Sequence, residues 1–392
     1  MPRGWAGVGA DDHGAPSGAS GPAALLAEVR AYAAGPLRAW GERVEADGAV
    51  PPALWRELGS RGYLGLGAPA ALGGRGLSLS EFLPLLEEFS TGHGSIRMIV
   101  HVAGAIWRPI VRYGSPAQAE RFVRPLVRGE SLLAFAATEP DTGGGADIRA
   151  EARREGQEYV LSGRKHLITF GSVAGHVLVL CRLAGTAGAD GTMVLVVPRG
   201  TPGFVAEPMP EPMGLRGTDF ARLAFDGCRV PAANRIGAEG HGLRVAVEGF
   251  LHPGRIGAGM ACVGLGRRAL ELALEHARRR VTFGRPIGER QMVQAMLAEA
   301  AADVEAARQL VLWAARRWES RPPAAAESAM AKLYGLEALQ RVTDRALQVC
   351  GGLGYFRGAE IERIYRDARA QRFEEGTAEA QKATIAHSLL SR

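Results

Sequence analysis

The repeat of apolar residues changes twice along the chain, and this constrains the fold more than any other feature. From Pro22 to about Leu133 apolar residues recur at three- and four-residue spacings, as in Leu54 and Leu58 or Phe82, Leu85, Leu86 and Phe89, broken by glycine clusters such as Gly73-Gly74. That spacing is one face of a helix. Near Phe135 short β-type runs take over: Tyr159–Leu161, His166–Phe170, Val177–Cys181, Met193–Val197 and Leu223–Phe225, separated by Gly, Pro and Asp turns. After about Gly240 the helical period returns in the long runs Ile256–Arg280, Gln291–Glu319 and Ala324–Cys350, with Pro322-Pro323 as a break and Leu336, Leu339, Thr343 and Leu347 on one face. A last run, Ala378–Leu390, completes a four-helix bundle. The predicted fold is α+β multidomain: a disordered tail over residues 1–21, an N-terminal helical domain over 22–134, a middle β-sheet or barrel domain over 135–240 and a C-terminal helical bundle over 241–392.

A chain of 392 residues has length for two or three such domains. No apolar stretch approaches the roughly 18 to 20 residues of a membrane span. The first twenty residues lack the basic start and apolar core of a signal peptide. Cys181, Cys228, Cys262 and Cys350 form no CxxC pair, which argues against a zinc or thioredoxin-like site and for reduced thiols in a cytoplasm. A net charge of +6, with arginines on helices and no interleaved aromatics, argues against nucleic acid as partner. It suits an acidic one, such as a phosphorylated cofactor or an acidic carrier protein.

Three segments have the makings of a site. Glu375 sits on a glycine turn directly before the last helical run. Burial in an apolar cleft raises a carboxylate's pKa while a helix N-terminus lowers it, and a carboxylate so placed can act as a general base. Read alone, Glu375 equally suits a helix cap or a solvent-facing side chain, with Thr377 as N-cap in either case. Thr138-Glu139-Pro140 and Gly143-Gly144-Gly145, about 240 residues upstream, form either a flexible loop or one whose amides and Thr138 hydroxyl approach a ring system or pyrophosphate. The segment Arg280 to Pro286, with Gln291 following, joins two long helices; its arginines favour a helix C-terminus or present a guanidinium to a phosphate across a subunit contact. Gln348 to Tyr355 is a glycine-terminated helix end.

In this order and spacing the segments resemble the acyl-CoA dehydrogenase family of flavoproteins, from about residue 22 to the C-terminus. The resemblance implies FAD as cofactor. Phe135-Ala-Ala137-Thr138-Glu-Pro140 looks like one flavin-contacting segment and Lys165-His-Leu167-Ile-Thr169 like a second. Arg280, Thr282, Phe283 and Gln291 match positions that reach the FAD of a neighbouring subunit, and Gln348, Gly351 and Gly352 match the segment near its adenosine half. Glu375-Gly376-Thr377 matches the catalytic Glu-Gly-Thr, with Thr377 and Glu379 as further flavin contacts and Gly376, Arg255 and Gly144 on the substrate side. The implied reaction is α,β-dehydrogenation of an acyl thioester, on CoA or an acyl carrier protein, to the trans-2-enoyl thioester. Glu375 would take the α-proton as flavin N5 accepts the β-hydride. The Glu375 amide and a flavin ribityl hydroxyl would hold the thioester carbonyl. Electrons would pass to an electron-transfer flavoprotein or another acceptor, from a homotetramer by family habit or a dimer.

Some members carry the base at the position of Gly254, where glycine cannot serve. The chain departs from the family at Leu167, where an aromatic is common, and at Gly143-Gly144-Gly145, which replaces Gly-Ser-Asp and leaves main-chain amides to serve. It departs again at Glu374, where an apolar or aromatic residue is common and which is expected to point away from the Glu375 cleft. Gly94 to Ala105 borders the acyl pocket in this reading, with Arg97 and His101 expected as a satisfied surface pair or as contacts for a polar acyl tail. A flavin oxidase or monooxygenase on the same scaffold is the alternative function, though retention of Glu375 weighs against it. A cofactor-free binding protein is a third.

Overall fold

The computed structural model describes residues 21–391, so the tail expected over 1–21 lies almost wholly outside the described residues. The first three helices, α1 (Pro22–Ala34), α2 (Pro36–Asp47) and α3 (Pro52–Ser60), each open on a proline, whose fixed φ and missing N–H suit the first turn. Helix α4 (Leu79–Gly92) starts at a capping box in which the Ser78 side chain accepts from the Glu81 amide and Glu81 accepts from the Ser78 amide. Every residue from Leu85 to Gly92 is partly or fully enclosed, because α4 lies between the other N-terminal helices and the C-terminal bundle. Helix α5 (Gly94–Tyr113) follows, its first turn capped by the His93 side chain.

The middle of the chain forms an eight-stranded sheet of β1 (Leu133–Ala136), β2 (Glu151–Glu155), β3 (Glu158–Thr169), β4 (His176–Leu183), β5 (Thr192–Pro198), β6 (Phe204–Pro208), β7 (Phe220–Pro231) and β8 (Arg235–Ile236). The order is β6-β7-β3-β2-β4-β5-β8, with β1 parallel to β4. Two runs expected as separate strands, Tyr159–Leu161 and His166–Phe170, are one long strand, β3, whose register against β7 shifts at Leu161/Gly163 and Lys165/Ile168. Such irregularities re-aim side chains near sites. The alternation hid β2, Glu-Ala-Arg-Arg-Glu, because only Ala152 faces the core.

Three long antiparallel helices, α6 (His252–Arg279), α7 (Gln291–Ser320) and α8 (Ala325–Cys350), build the C-terminal bundle. Glycines set their spacing: a Cβ on Gly259 would stand 2.8 Å from the Ala331 carbonyl oxygen, and one on Gly264 2.4 Å from that of Glu87 on α4. The helices therefore meet backbone to backbone. A further helix, α9 (Glu360–Ala370), was not expected; it precedes the expected last one, α10 (Ala378–Leu390). Ile361, Ile364 and Ala368 fill one side of α9, and its buried Asp367 accepts the Leu215 amide at 2.5 Å, tying the bundle to the sheet domain.

Candidate active site

Glu375 occupies the turn between α9 and α10 in left-handed backbone, φ +50°, ahead of Gly376 at +95°. A non-glycine residue there is strained and must be held by its surroundings. It is. The Glu375 carbonyl accepts from Arg255 Nε at 3.2 Å and Gln381 Nε2 at 3.3 Å, and the Gly376 carbonyl accepts from Gln381 at 3.1 Å and from Lys332 Nζ. Clamps thus come from α6, α8 and α10. Thr377 caps α10 by accepting from the Ala380 amide.

The Glu375 side chain is 11 % exposed and lies against Gly254 on α6, where a Cβ would stand 2.5 Å from Oε1 and 2.6 Å from Oε2. Gly254 thus presents bare backbone here and makes room for this carboxylate. Oε2 is buried with no hydrogen-bond partner, and the Glu375 amide N–H donates to no group among the described residues. The open carboxylate oxygen can accept a proton from a C–H beside a carbonyl, and the open amide can donate to that carbonyl. Burial pushes the Glu375 carboxyl up to about 8; Lys332 opposes this, Glu374 adds to it, and Arg255 and Arg97 oppose it.

One expectation fails here. Arg97 and His101 are not a surface pair: their side chains are 0 % and 2 % exposed. Glu374, expected to point away from the Glu375 cleft, is gripped by Arg97 through Nη2 to Oε1 at 2.9 Å and Nη1 to Oε2 at 3.3 Å. Burial alone would raise the Glu374 carboxyl, but Arg97 holds it below the usual range. His101 lies with Nε2 3.0 Å from the Gly254 carbonyl and 3.4 Å from Glu375 Oε1; burial, then Arg97, push its pKa down to about 4, so the ring is neutral. Sequence reasoning missed Lys332 and Gln381, which join the site from two different helices, and did not pair Arg97 and His101, both on α5, with Glu374 and Glu375.

The expected flavin segments of the sheet domain lie side by side. Phe135 on β1 stacks on Phe250 at 4.8 Å; Ala137 and Thr138 follow, and the Thr138 carbonyl accepts the His166 amide at 3.0 Å. Lys165 binds the Ala137 carbonyl at 2.8 Å and Glu139 at 2.9 Å, while Glu139 accepts the Arg149 and Ala150 amides at 2.6 and 2.8 Å. With side chains 0 % and 4 % exposed, this pair anchors both segments from beneath, a role the sequence did not betray. Above it Gly143, at φ +73°, and Gly144 are exposed, while Leu167 stands in left-handed backbone, 53 % exposed, before Thr169.

The remaining expected contacts fall into two groups. Arg255, Gly376, Thr377 and Glu379 cluster at the Glu375 end of the bundle, the last two exposed. Arg280, Thr282, Phe283 and Gln291 lie at the other end of α6, 25 residues beyond Arg255, which at 1.5 Å per residue is roughly 38 Å. Helix α8 runs parallel to α6, as Gly259 backs on Ala331 and Gly266 on Val342, so Gln348, Gly351 and Gly352 sit at that far end too. Phe283, at φ +47°, is 96 % exposed. Within one chain the structure does not bring these seven residues to Glu375.

The sequence matches the N-terminal domain of acyl-CoA dehydrogenases over residues 22–130, the middle domain over 134–228 and the C-terminal domain over 240–390. It is 34% identical over 367 residues to acryloyl-CoA reductase (NADH) of Anaerotignum propionicum, covering 93% of each chain. It is also 34% identical over 368 residues to the mitochondrial short-chain specific acyl-CoA dehydrogenase of Homo sapiens, covering 93% of this chain and 89% of that one. The fold matches butyryl-CoA dehydrogenase of Megasphaera elsdenii with a TM-score of 0.88 at 30% identity, covering 94% of this chain and 98% of that one. The chain belongs to the acyl-CoA dehydrogenase family, FAD-dependent oxidoreductases that act on CH–CH bonds.

Proposed function

We propose that the protein dehydrogenates an acyl thioester between Cα and Cβ, with Glu375 as the base that takes the α-proton. The observation that carries this is the buried, unpartnered Oε2 of Glu375 beside its own free amide, on a strained turn held from three helices. A pKa raised by burial toward about 8 gives a base matched to neutral pH, whereas an ordinary glutamate would be too weak a base. Negative charge gathers on the thioester carbonyl as the proton leaves, and the Glu375 amide, which has no acceptor of its own, is the donor for it in this reading.

FAD fits the residues present. Exposed Gly143 and Gly144 present bare backbone beside Thr138, and the hydroxyls of Thr138, Thr169 and Thr377 with the exposed Leu167 offer hydrogen bonds and an apolar face for a ring. Bound there, it supplies the hydride acceptor for Cβ. Phe135, Ala137 and Glu379 border the same region in this reading, with Gly144, Arg255 and Gly376 toward the substrate. Arg280, Thr282, Phe283, Gln291, Gln348, Gly351 and Gly352, remote from Glu375 in their own chain, serve the cofactor of a second copy. The uncovered apolar side chains at that end, Phe283, Met292, Leu353, Tyr355 and Phe356, support a homo-oligomer, tetramer or dimer.

Electrons leave to an electron-transfer flavoprotein or another acceptor, and the free cysteines Cys181, Cys228, Cys262 and Cys350 suit the cytoplasm. No described helix is long and apolar enough to cross a membrane. Anaerobic titration with a panel of CoA- and carrier-bound acyl thioesters, followed by flavin absorbance, tests the reading. Bleaching with formation of the trans-2-enoyl thioester supports it. Bleaching by no thioester, or a hydroxylated product in place of the enoyl thioester in air, refutes it.

A further inference from the structure

Glu374 puts a second carboxylate next to the base, which by itself would hinder ionisation of either. The structure answers with Arg97. Its fully buried guanidinium holds both Glu374 oxygens, at 2.9 and 3.3 Å, and its Nη1 stands 3.3 Å from His101 Nδ1. Gln371 Nε2 adds a bond to Glu374 Oε1 at 3.0 Å. Arginine only donates, so Nδ1 is the acceptor and the neutral ring carries its proton on Nε2. That N–H faces the Gly254 carbonyl at 3.0 Å and Glu375 Oε1 at 3.4 Å.

Stability alone is a poor reason for this arrangement, because buried ion pairs commonly do no better than apolar residues of equal volume. We propose that Arg97, Glu374 and His101 are positioning residues for proton removal: Arg97 fixes the Glu374 charge and the His101 tautomer, and these hold the Glu375 carboxylate against Gly254 with Oε2 free. This rests on Glu375 being the base. The charged and titratable groups facing Glu375 are Arg97 and His101 from α5, Arg255 from α6, Lys332 from α8 and Glu374 from its own turn. Cys262, facing Lys332 and Glu374, is pushed up to about 12 by burial and stays neutral. Three cations and the Glu374 carboxylate therefore surround the Glu375 carboxyl, and each removal has a definite sign.

The test is the pH profile of kcat/KM for the flavin-loaded enzyme. Glu374→Gln keeps the shape and the acceptor for Arg97 but deletes the repelling charge, so the ascending limb moves down by at least about one pH unit and the plateau falls about three- to tenfold as the base weakens. His101→Leu deletes the N–H that faces Glu375, so its limb moves up; His101→Gln, which restores a donor, moves it back. Opposite shifts are not what a packing defect produces. Should a single variant fold poorly, Arg97→Met/Glu374→Leu removes both charges together, and the proposal expects it to retain flavin while kcat/KM drops about tenfold. Limbs that stay put in Glu374→Gln and His101→Leu, or a double variant with wild-type kcat/KM, overturn it. Glu375→Gln separates the two ideas: if that variant is still bleached, the base assignment falls, whereas if it is inert and the limbs do not move, only the positioning role falls.

Discussion

Adding one methyl group at Gly254 should raise stability and lower activity together. A Cβ there would stand 2.5 Å from Glu375 Oε1, 2.6 Å from Oε2 and 2.7 Å from Cδ, and these are its three nearest neighbours. Ordinary contact begins near 3.4 Å, so the carboxylate must retreat by about 0.9 Å (3.4 − 2.5). The clash falls on the end of a flexible side chain and leaves backbone untouched, so the fold loses little, while alanine in a helix gains up to about 1 kcal/mol over glycine. Proton transfer is less forgiving. A displacement of about 1 Å from a productive geometry costs about a hundredfold in rate. Gly254→Ala should therefore show an unchanged or higher Tm, full flavin content and kcat/KM lowered about a hundredfold. Wild-type turnover in a folded Gly254→Ala protein would mean that Glu375 does not work from the position it holds against α6.

Glu375 keeps its proton in the fold up to about 8, against an ordinary 4.5, so the folded state binds more protons between those values. Stability present below about 4.5 is then lost as pH rises toward 8, and denaturant unfolding at pH 5, 6.5 and 8 should show a decline that Glu375→Gln flattens. Lys165→Met leaves Glu139 buried and unpaired beneath both flavin segments; a cost of about 3 to 5 kcal/mol is expected, read as a lower Tm together with lost flavin. Phe283→Asp puts a charge on a side chain that is 96 % exposed in one chain, so a purely monomeric protein would tolerate it. Light scattering should instead show a smaller assembly with less bound flavin.

Much of the architecture is legible because it rests on local periodicity. The long helices announce themselves by apolar spacing, β4 and β5 by unbroken apolar runs and β7 by alternation. Helix α9 repeats Ile361, Ile364 and Ala368 on one face, yet among so many charges its period is easily passed over. The candidate base is legible too, since a glutamate, a glycine and a capping threonine before a helix form a local pattern. Its supporting shell is not. A charged residue such as Arg97 in an apolar helix reads as a solvent-facing position until its partner is known, and that partner lies 277 residues away. The same holds for Lys332, which reaches the Gly376 carbonyl across 44 residues, and for Lys165 with Glu139 across 26. The exposure of Phe283 and the distance from Arg280 to Glu375 are likewise properties of helix length and direction, which no motif records.

The most direct measurement is anaerobic flavin absorbance of Glu375→Gln against the wild type, each mixed with an acyl-CoA that bleaches the wild type. The variant should bind FAD and thioester as the wild type does, seen as a perturbed flavin spectrum, but show no loss of flavin absorbance over the wild-type reaction time. Bleaching of the variant at a rate near that of the wild type would contradict the assignment of α-proton removal to Glu375.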